Sequence, residues 1–292
     1  MNTIFNVLVP MIMIAGIGYL SAIHKKMDLS TIANFIIYIS GPALAFSMLA
    51  DHPFYPGKFF IMASAAVVVI LGTGLILKLT SKWSRVKVSP AFYLPVMFMN
   101  SGNIGFPVAM LAIGYSALSF ASIYNLVNVI IIFSLGIFII SPKSSRFKFL
   151  RIPFIYAAMA GLLISLFHIE LPRFLSSPID LLGQTTIPLS LFMVGYKLRS
   201  SVLRPEQIKL AFLASFLRIG LGFLLALAFI KLFNIEGVVA QVIMILSTTP
   251  AAIMNIAIAQ ENSVETDFLA TTITISTLLS IITIPLVLWF IF

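Results

Sequence analysis

The stretch Asn100-Ser101-Gly102-Asn103-Ile104-Gly105-Phe106-Pro107 lies near the middle of an otherwise apolar segment, residues 91–113. Two glycines, a proline and two asparagines within eight residues disfavour a continuous helix, because glycine and proline destabilise helix interiors. A second apolar segment, residues 238–260, contains Ser247-Thr248-Thr249-Pro250-Ala251-Ala252-Ile253-Met254-Asn255 at its centre. We therefore predict that the two segments form helices that break near mid-span.

The composition of the chain places these segments in a membrane. Of 292 residues, 60% are hydrophobic and 9% are charged, against about 45–50% and about 25% in a soluble domain. So few charges cannot cover a soluble globule of this size, whereas a lipid-facing surface needs none. The basic residues form short clusters between apolar segments, which is typical of topology signals rather than of nucleic-acid binding. The sequence predicts an all-α, polytopic membrane protein with no nucleic-acid partner.

Ten apolar segments bounded by charged or turn residues are candidate membrane helices, since a crossing takes about 20 residues. The predicted helices are Ile4–Ala22, Thr31–Ala50, Phe59–Leu79, Ala91–Ile113, Ser119–Ser141, Ile152–Phe167, Pro178–Tyr196, Ile208–Phe233, Val238–Gln260 and Thr266–Ile291. Of the 18 lysines and arginines, 14 lie in the loops after helices one, three, five and seven, three lie on the other face, and Arg218 lies within a helix. The positive-inside rule then predicts that both termini are outside, in a multi-pass protein of a plasma membrane.

The two halves of the chain resemble each other. Gly16 and Pro42, in helices one and two, correspond to Gly161 and Pro188, in helices six and seven, at offsets of 145 and 146 residues. Five helices is an odd number, so a second copy must enter the membrane from the opposite side, as in inverted repeats. The predicted units are a first repeat at 1–141, a cytoplasmic linker at 142–151 and a second repeat at 152–292.

Paired breaks in corresponding helices of an inverted repeat indicate the binding site of a transporter. Each half-helix that begins at a break presents free N–H groups and a positive dipole end, which favour an anion such as a carboxylate. The carbonyl ends of the preceding half-helices could equally hold Na⁺. We predict that the substrate is bound by Asn100, Ser101, Asn103, Thr249, Asn255 and Arg218.

Arg218 is the one strong charge deep within a predicted span. It lies nine residues after Lys209, about 14 Å along a helix and therefore close to the middle of the hydrocarbon core. Three roles remain open for it: it attracts an anionic substrate, it occupies the place of a coupling cation, or it is a structural residue satisfied by half-helix carbonyl groups.

The run at 100–107, the segment Thr186–Gly195, and Thr249-Pro250-Ala251-Ala252 through Asn255 followed by Ala270-Thr271-Thr272 resemble the auxin efflux carrier family. The similarity covers essentially the whole chain and is to a short, bacterial, malate-permease-like form, within the superfamily of bile-acid, arsenite and riboflavin transporters. Plant exporters of this family often carry a long hydrophilic loop between helices five and six, which this sequence lacks.

The resemblance implies that helices four and nine cross at the breaks marked by Gly102, Gly105, Pro107 and Pro250. It also implies polar substrate contacts from Asn103 and Asn255. Helices one, two, six and seven would form a scaffold that dimerises with a second copy. Helices three to five and eight to ten would form a moving transport domain. The implied substrates are small organic anions, such as auxin in plants and malate-like acids in bacteria.

The sequence therefore favours a secondary carrier that moves a small organic carboxylate by an elevator motion, with H⁺ or Na⁺ coupling left open. A sodium-coupled symporter of the bile-acid type is the alternative, and a channel or signalling protein would belong to another class. An intramembrane enzyme is disfavoured, because no mid-span nucleophile with a base, paired aspartates or set of metal ligands is present. We predict no enzymatic activity, no cofactor and no metal site.

Overall fold

The computed structural model describes residues 2–24, 26–51, 55–84, 89–141, 148–200, 203–262, 264 and 266–292. Within these ranges the chain forms fifteen α-helices. They are α1 (Asn2–His24), α2 (Leu29–Phe35), α3 (Gly41–Ala50), α4 (Pro56–Ser84), α5 (Pro90–Met97), α6 (Phe106–Ile113), α7 (Ser116–Ile131), α8 (Ile137–Ile140), α9 (Pro153–Leu166), α10 (Arg173–Gln184), α11 (Thr186–Ser200), α12 (Ile208–Leu232), α13 (Gly237–Ser247), α14 (Met254–Glu261) and α15 (Asp267–Ile291). Most of the predicted linker, residues 142–147, lies outside the described ranges.

Six helical segments of the described chain are long and apolar enough to cross a membrane. They are Phe5–His24, Leu29–Ala50, Pro56–Trp83, Ser116–Ile140, Pro205–Leu232 and Asp267–Ile291. These six coincide with predicted helices one, two, three, five, eight and ten. Predicted helix six is a short helix of 14 residues, α9, and predicted helices four, seven and nine each divide into two shorter helices. The all-helical, polytopic prediction is confirmed.

Helix seven is longer than predicted and is interrupted. It begins at Arg173 rather than Pro178, and Thr185 joins α10 to α11. Pro188 has no N–H to donate to the carbonyl of Gln184, so regular helix bonding is lost just before it. In helix two, a wider π-helical turn at Ile36–Ser40 likewise precedes Pro42.

Two pairs of helices pack with their backbones in close contact. A methyl group at Gly18 of α1 would collide with the backbone of Phe192 in α11, and a methyl group at Gly195 of α11 would collide with the backbone of Ala15. In the second pair, a methyl group at Gly161 of α9 would lie 2.6 Å from the carbonyl oxygen of Phe46 in α3. Helix one therefore packs on helix seven, and helix two packs on helix six.

These contacts correct one correspondence between the halves. Gly16 has nothing within 4 Å of the place where a methyl group would stand, whereas Gly18 and Gly161 both lie at close backbone contacts. Gly18 and Gly161 are 143 residues apart, as are Pro10 and Pro153. In the predicted repeat, Gly18 rather than Gly16 is the structural counterpart of Gly161.

The remaining helices form a second group around the two broken helices. α4 packs against α7 and α12, and α12 packs against α15. The largest fully buried side chains of the described chain include Arg218, Tyr124 and Phe98, all in this group. It meets the first group through α7, which contacts α3 and α9, and through α6, which contacts α1.

Candidate functional site

The two broken helices are joined to each other at their breaks. α5 ends at Met97 and α13 ends at Ser247, and Met99 and Ala251 then form an antiparallel bridge. The N–H of Asn100 donates to the carbonyl of Pro250 (2.8 Å), and the N–H of Ala252 donates to the carbonyl of Phe98 (3.0 Å). Backbone groups that have left a helix inside a membrane must find such partners. The bridge supplies them.

The break in helix four lies before Pro107. The extended stretch runs through Phe98, a π-helical turn follows at Ser101–Gly105, and Pro107 is the second residue of α6. A proline is tolerated there because the first N–H groups of a helix have no intrahelical partner. Pro107 therefore does not mark the crossing point, contrary to the expectation. Pro250 does lie at the crossing point, where its carbonyl accepts from the N–H of Asn100.

The carbonyl ends of both first half-helices converge on Arg218 of α12, which is fully buried. Its Nη1 donates to the carbonyl oxygens of Val96 (3.0 Å) and Met97 (2.7 Å), and its Nη2 donates to that of Ser247 (2.8 Å). These carbonyl groups carry the negative ends of the two helix dipoles. Arg218 thus caps α5 and α13 at once, and the absence of a side chain at Gly222 lets the Ser247 carbonyl approach α12.

A cavity of about 170 Å³ lies on the opposite side of the crossing, where the second half-helices begin. Its wall includes Asn100, Gly102 and Asn103 from one break and Ala252 and Ile253 from the other. The side-chain oxygen of Asn100 accepts from the N–H of Asn103 (3.3 Å). The point where the two broken helices cross therefore separates two environments. The cation of Arg218 lies at the carbonyl ends of α5 and α13, and the cavity lies at the N–H ends of the second half-helices.

Two asparagines of α7 hold the first break in place. Asn128 donates to the carbonyl of Met99 and to the hydroxyl of Ser101, both at 3.0 Å, and Ser101 donates to Asn125 (2.7 Å). Both asparagines also line the cavity. The Asn128 amide satisfies the extended backbone at Met99, Asn125 holds the Ser101 hydroxyl, and both side chains form part of the cavity wall.

Replacing Asn128 with leucine, which has a similar volume, should lower the stability of the protein by about 1–3 kcal/mol. The carbonyl of buried Met99 would lose its donor, and an unpaired buried acceptor carries that cost. Thermal unfolding in detergent measures the loss. Ser134→Ala is the matched control, because Ser134 bonds only to carbonyls of its own helix, and equal stability of the two variants would contradict the role of Asn128.

The structure brings two of the six predicted substrate residues to the cavity, Asn100 and Asn103. Ser101 and Thr249 are fully buried, and Thr249 donates to the carbonyl of Leu246. Arg218 lies on the other side of the crossing. Asn255 is fully buried at the start of α14 and does not line the cavity, and its two polar atoms have no partner among the described residues.

Four polar residues near the site were not predicted as substrate contacts from the sequence: Asn125, Asn128, Thr186 and Ser190. The first three line the cavity, and Ser190 of α11 donates to the side-chain oxygen of Asn103 (3.2 Å). Asn125 and Asn128 are three residues apart on one face of an apolar helix, which is a detectable signal. Within the described chain, the buried Nδ2 of Asn100 and Oγ1 of Thr186 have no hydrogen-bond partner.

Comparisons with known proteins agree with a membrane transporter. The sequence model of the Mem_trans family, described as membrane transport protein, matches residues 143–288, half of the chain. An uncharacterized transporter of Methanothermobacter thermautotrophicus is 26% identical over 98% of this chain and 96% of its own length. An uncharacterized transporter of Methanocaldococcus jannaschii is 23% identical over 97% of each chain. The chain is thus an integral, multi-pass membrane protein and belongs to the Mem_trans family of membrane transport proteins.

Proposed function

We propose that the protein is a secondary carrier of a small organic anion, a carboxylate of the malate or auxin-like kind, in the manner of short bacterial auxin efflux carriers. The observation that carries the proposal is the cavity at the N–H ends of two crossed half-helices. There the positive dipole ends of the second half-helices meet one cavity, and Asn100 and Asn103 form part of its wall. Helix N-termini and neutral amide groups favour a negatively charged ligand even where no charged side chain lines the cavity wall. The proposal includes no chemical step and no cofactor.

Apolar side chains form the rest of the cavity wall, among them Ile36, Phe133 and Phe154. No charged side chain of the described residues lines it. Pockets of this kind orient a ligand with a few polar groups and hold its body by apolar contact. A carboxylate whose remaining atoms are partly apolar fits such a wall.

The position of the cavity supports an elevator motion. One side of its wall comes from α2, α9 and α11, and the other comes from the crossing and α7. The first side belongs to the proposed scaffold, helices one, two, six and seven, and the second to the proposed transport domain. The bond from Ser190 to Asn103 links the two sides. The substrate would thus move with the crossing as the crossing slides along the scaffold.

The architecture proposed for this motion is ten helices in two inverted repeats, with both termini outside, in a bacterial plasma membrane. The reciprocal contacts of α1 with α11 and of α3 with α9 support the repeat. Ala33 and Ile152 line the cavity, and both lie next to loops that the proposed orientation places in the cytoplasm. The exposed apolar face of α1, which includes Ile12 and Met13, would contact lipid or the scaffold of a second copy in a homodimer.

Sodium coupling is the alternative mechanism. A sodium ion at the crossing would need the carbonyl ends of the first half-helices, as in transporters with broken helices. Arg218 donates to these carbonyl groups. This supports transport without Na⁺.

The experiment is transport by the purified protein in proteoliposomes on a solid-supported membrane. Jumps of indole-3-acetate, benzoate, 2-hydroxybutyrate, malate and succinate would be applied with Na⁺ or with choline, across a pH series. We expect a saturable current for at least one acid, equal in the two salts. A current seen only with Na⁺ would establish the sodium-coupled symporter, and a current that depends on pH would indicate coupling to H⁺. The absence of flux for every labelled acid would overturn the proposal.

Replacing Asn103 with alanine should weaken binding of the transported acid about ten- to a hundredfold. A lost hydrogen bond to a charged group costs about 1.5–3 kcal/mol, which is that ratio in affinity. The half-saturating concentration of the current measures the change. Asn34→Ala is the control, because Asn34 is exposed on α2 away from the cavity wall, and unchanged half-saturation in Asn103→Ala would remove Asn103 from the site.

A further inference from the structure

Within the part of the chain that the structure describes, no acidic side chain balances the charge of Arg218. Among the residues whose burial the structure describes, it is the one charged side chain that is fully buried. Its hydrogen bonds go to three neutral carbonyl groups, and within the described chain no carboxylate forms an ion pair with it. An arginine does not give up its proton in proteins. The centre of the proposed transport domain therefore holds one net positive charge.

The other charged residues that the structure describes in this domain lie near helix ends. Lys58 begins α4, and Lys209 and Lys231 lie near the two ends of α12, where all three are exposed. Such residues stay in the aqueous layers or reach them by extending their side chains. Arg218 is thus the charge that crosses the membrane field when the domain moves.

The charge lies close to the cavity. Its guanidinium bonds to the carbonyl of Met97, and Met99, two residues further along an extended stretch, lines the cavity wall. Two extended residues span about 7 Å, which places the cavity on the order of 10 Å from the guanidinium. At an effective dielectric constant of about 20, attraction over that distance raises the affinity for a monoanion about tenfold to twentyfold.

We propose that Arg218 is the fixed counter-charge of the substrate and that the substrate is a monoanion. The proposal rests on the carrier function proposed above. A domain loaded with a monoanion crosses the membrane field with no net charge, and the empty domain returns with a charge of +1. A dianion would leave the loaded domain with a charge of −1 in the hydrocarbon layer, so it would be moved much more slowly than a monoanion of the same shape.

The test measures the voltage dependence of two transport modes in wild-type proteoliposomes. The probe is the labelled acid of the panel that gives the largest saturable flux, and a potassium gradient with valinomycin sets the potential. Exchange, with the same acid on both sides, uses only loaded domains, whereas net efflux requires the empty domain to return. We expect exchange to be constant between 0 and −100 mV. Net efflux should change several-fold, below the limit of about fiftyfold for one charge crossing the whole potential.

The reverse pattern, with voltage-dependent exchange and a voltage-independent empty return, would overturn the inference and leave the carrier function intact. No flux of any acid would instead overturn the carrier function itself. Arg218→Lys keeps the charge and should keep the wild-type pattern, whereas a folded Arg218→Gln protein should show the reverse. If Arg218→Gln does not fold, the voltage dependence of exchange and of net efflux in the wild type still decides whether the loaded or the empty domain carries the net charge.

Substrate charge gives an independent comparison. Succinate and its monomethyl ester share a carbon chain and differ by one charge at pH 7.5. We expect exchange of the labelled ester to be at least tenfold faster than exchange of labelled succinate, because only the succinate-loaded domain carries a net charge through the hydrocarbon layer. Exchange of succinate that is as fast as that of its ester would overturn the assignment of a monoanion.

Discussion

The Arg218→Met variant is expected to lose about 3–5 kcal/mol of stability, so that little folded protein can be purified. Methionine fills much of the same volume but donates nothing, and the carbonyl groups of Val96, Met97 and Ser247 would lose their donor in a fully buried place. Each buried acceptor that is left without a donor costs about 1–3 kcal/mol, against a total stability of roughly 5–15 kcal/mol. The yield of monodisperse protein and its thermal unfolding in detergent measure the effect.

Lys231→Met is the matched control for this variant. It removes a cation from the same helix, at an exposed position near its end. We expect its yield and unfolding temperature to equal those of the wild type. An Arg218→Met protein that unfolds at the wild-type temperature would show that the three carbonyl groups do not need the guanidinium.

The Gly195→Val variant is expected to separate α1 from α11. Even one added carbon atom at this position would collide with the backbone of Ala15, and backbone cannot move aside as the end of a flexible side chain can. Overpacking costs about 1–3 kcal/mol where side chains can adjust, so we expect at least about 3 kcal/mol here. The unfolding temperature in detergent should fall accordingly, and folded protein should be more sensitive to protease.

Gly16→Val is the control for Gly195→Val. It tests whether stability is lost through the contact of α1 with α11 or simply because a valine stands in a scaffold helix. Gly16 lies on α1 within one turn of the contact, yet nothing lies within 4 Å of its added carbon. The free energy of unfolding of this variant should lie within about 0.5 kcal/mol of the wild-type value, as is usual for substitutions away from packed contacts. Equal destabilisation of Gly16→Val and Gly195→Val would show that the contact is not specific.

The sequence was informative wherever local chemistry decides the structure. Proline, glycine and asparagine in the middle of apolar segments predicted interruptions in helices four and nine, because no continuous helix tolerates that combination. The position of the first interruption was less predictable. Taken alone, Pro107 predicts a break at its own position. The extended stretch instead lies at Phe98–Asn100, because its backbone hydrogen bonds are made with helix nine, about 150 residues away in the sequence.

The contacts between helices could not be predicted in the same way. The sequence placed Arg218 at mid-span and left three roles open, because the partners of its guanidinium lie on two other helices. Asn125 and Asn128 share one face of α7, but helical periodicity does not say what that face meets. The substrate roles of the other four predicted residues stay predictions, and none of the four lines the cavity: Ser101, Thr249, Asn255 and Arg218.

The bridge between Met99 and Ala251 also constrains how the protein is made. The two residues that it joins are 152 positions apart in the sequence. A ribosome adding about 5–20 residues per second needs roughly 8–30 s to synthesise that length. During that time the extended backbone of helix four lacks its partner, and each unsatisfied backbone group costs several kcal/mol in hydrocarbon. Helix four must therefore be sheltered by the insertion machinery or by water until helix nine arrives, so membrane insertion of this protein is completed only near the end of its synthesis.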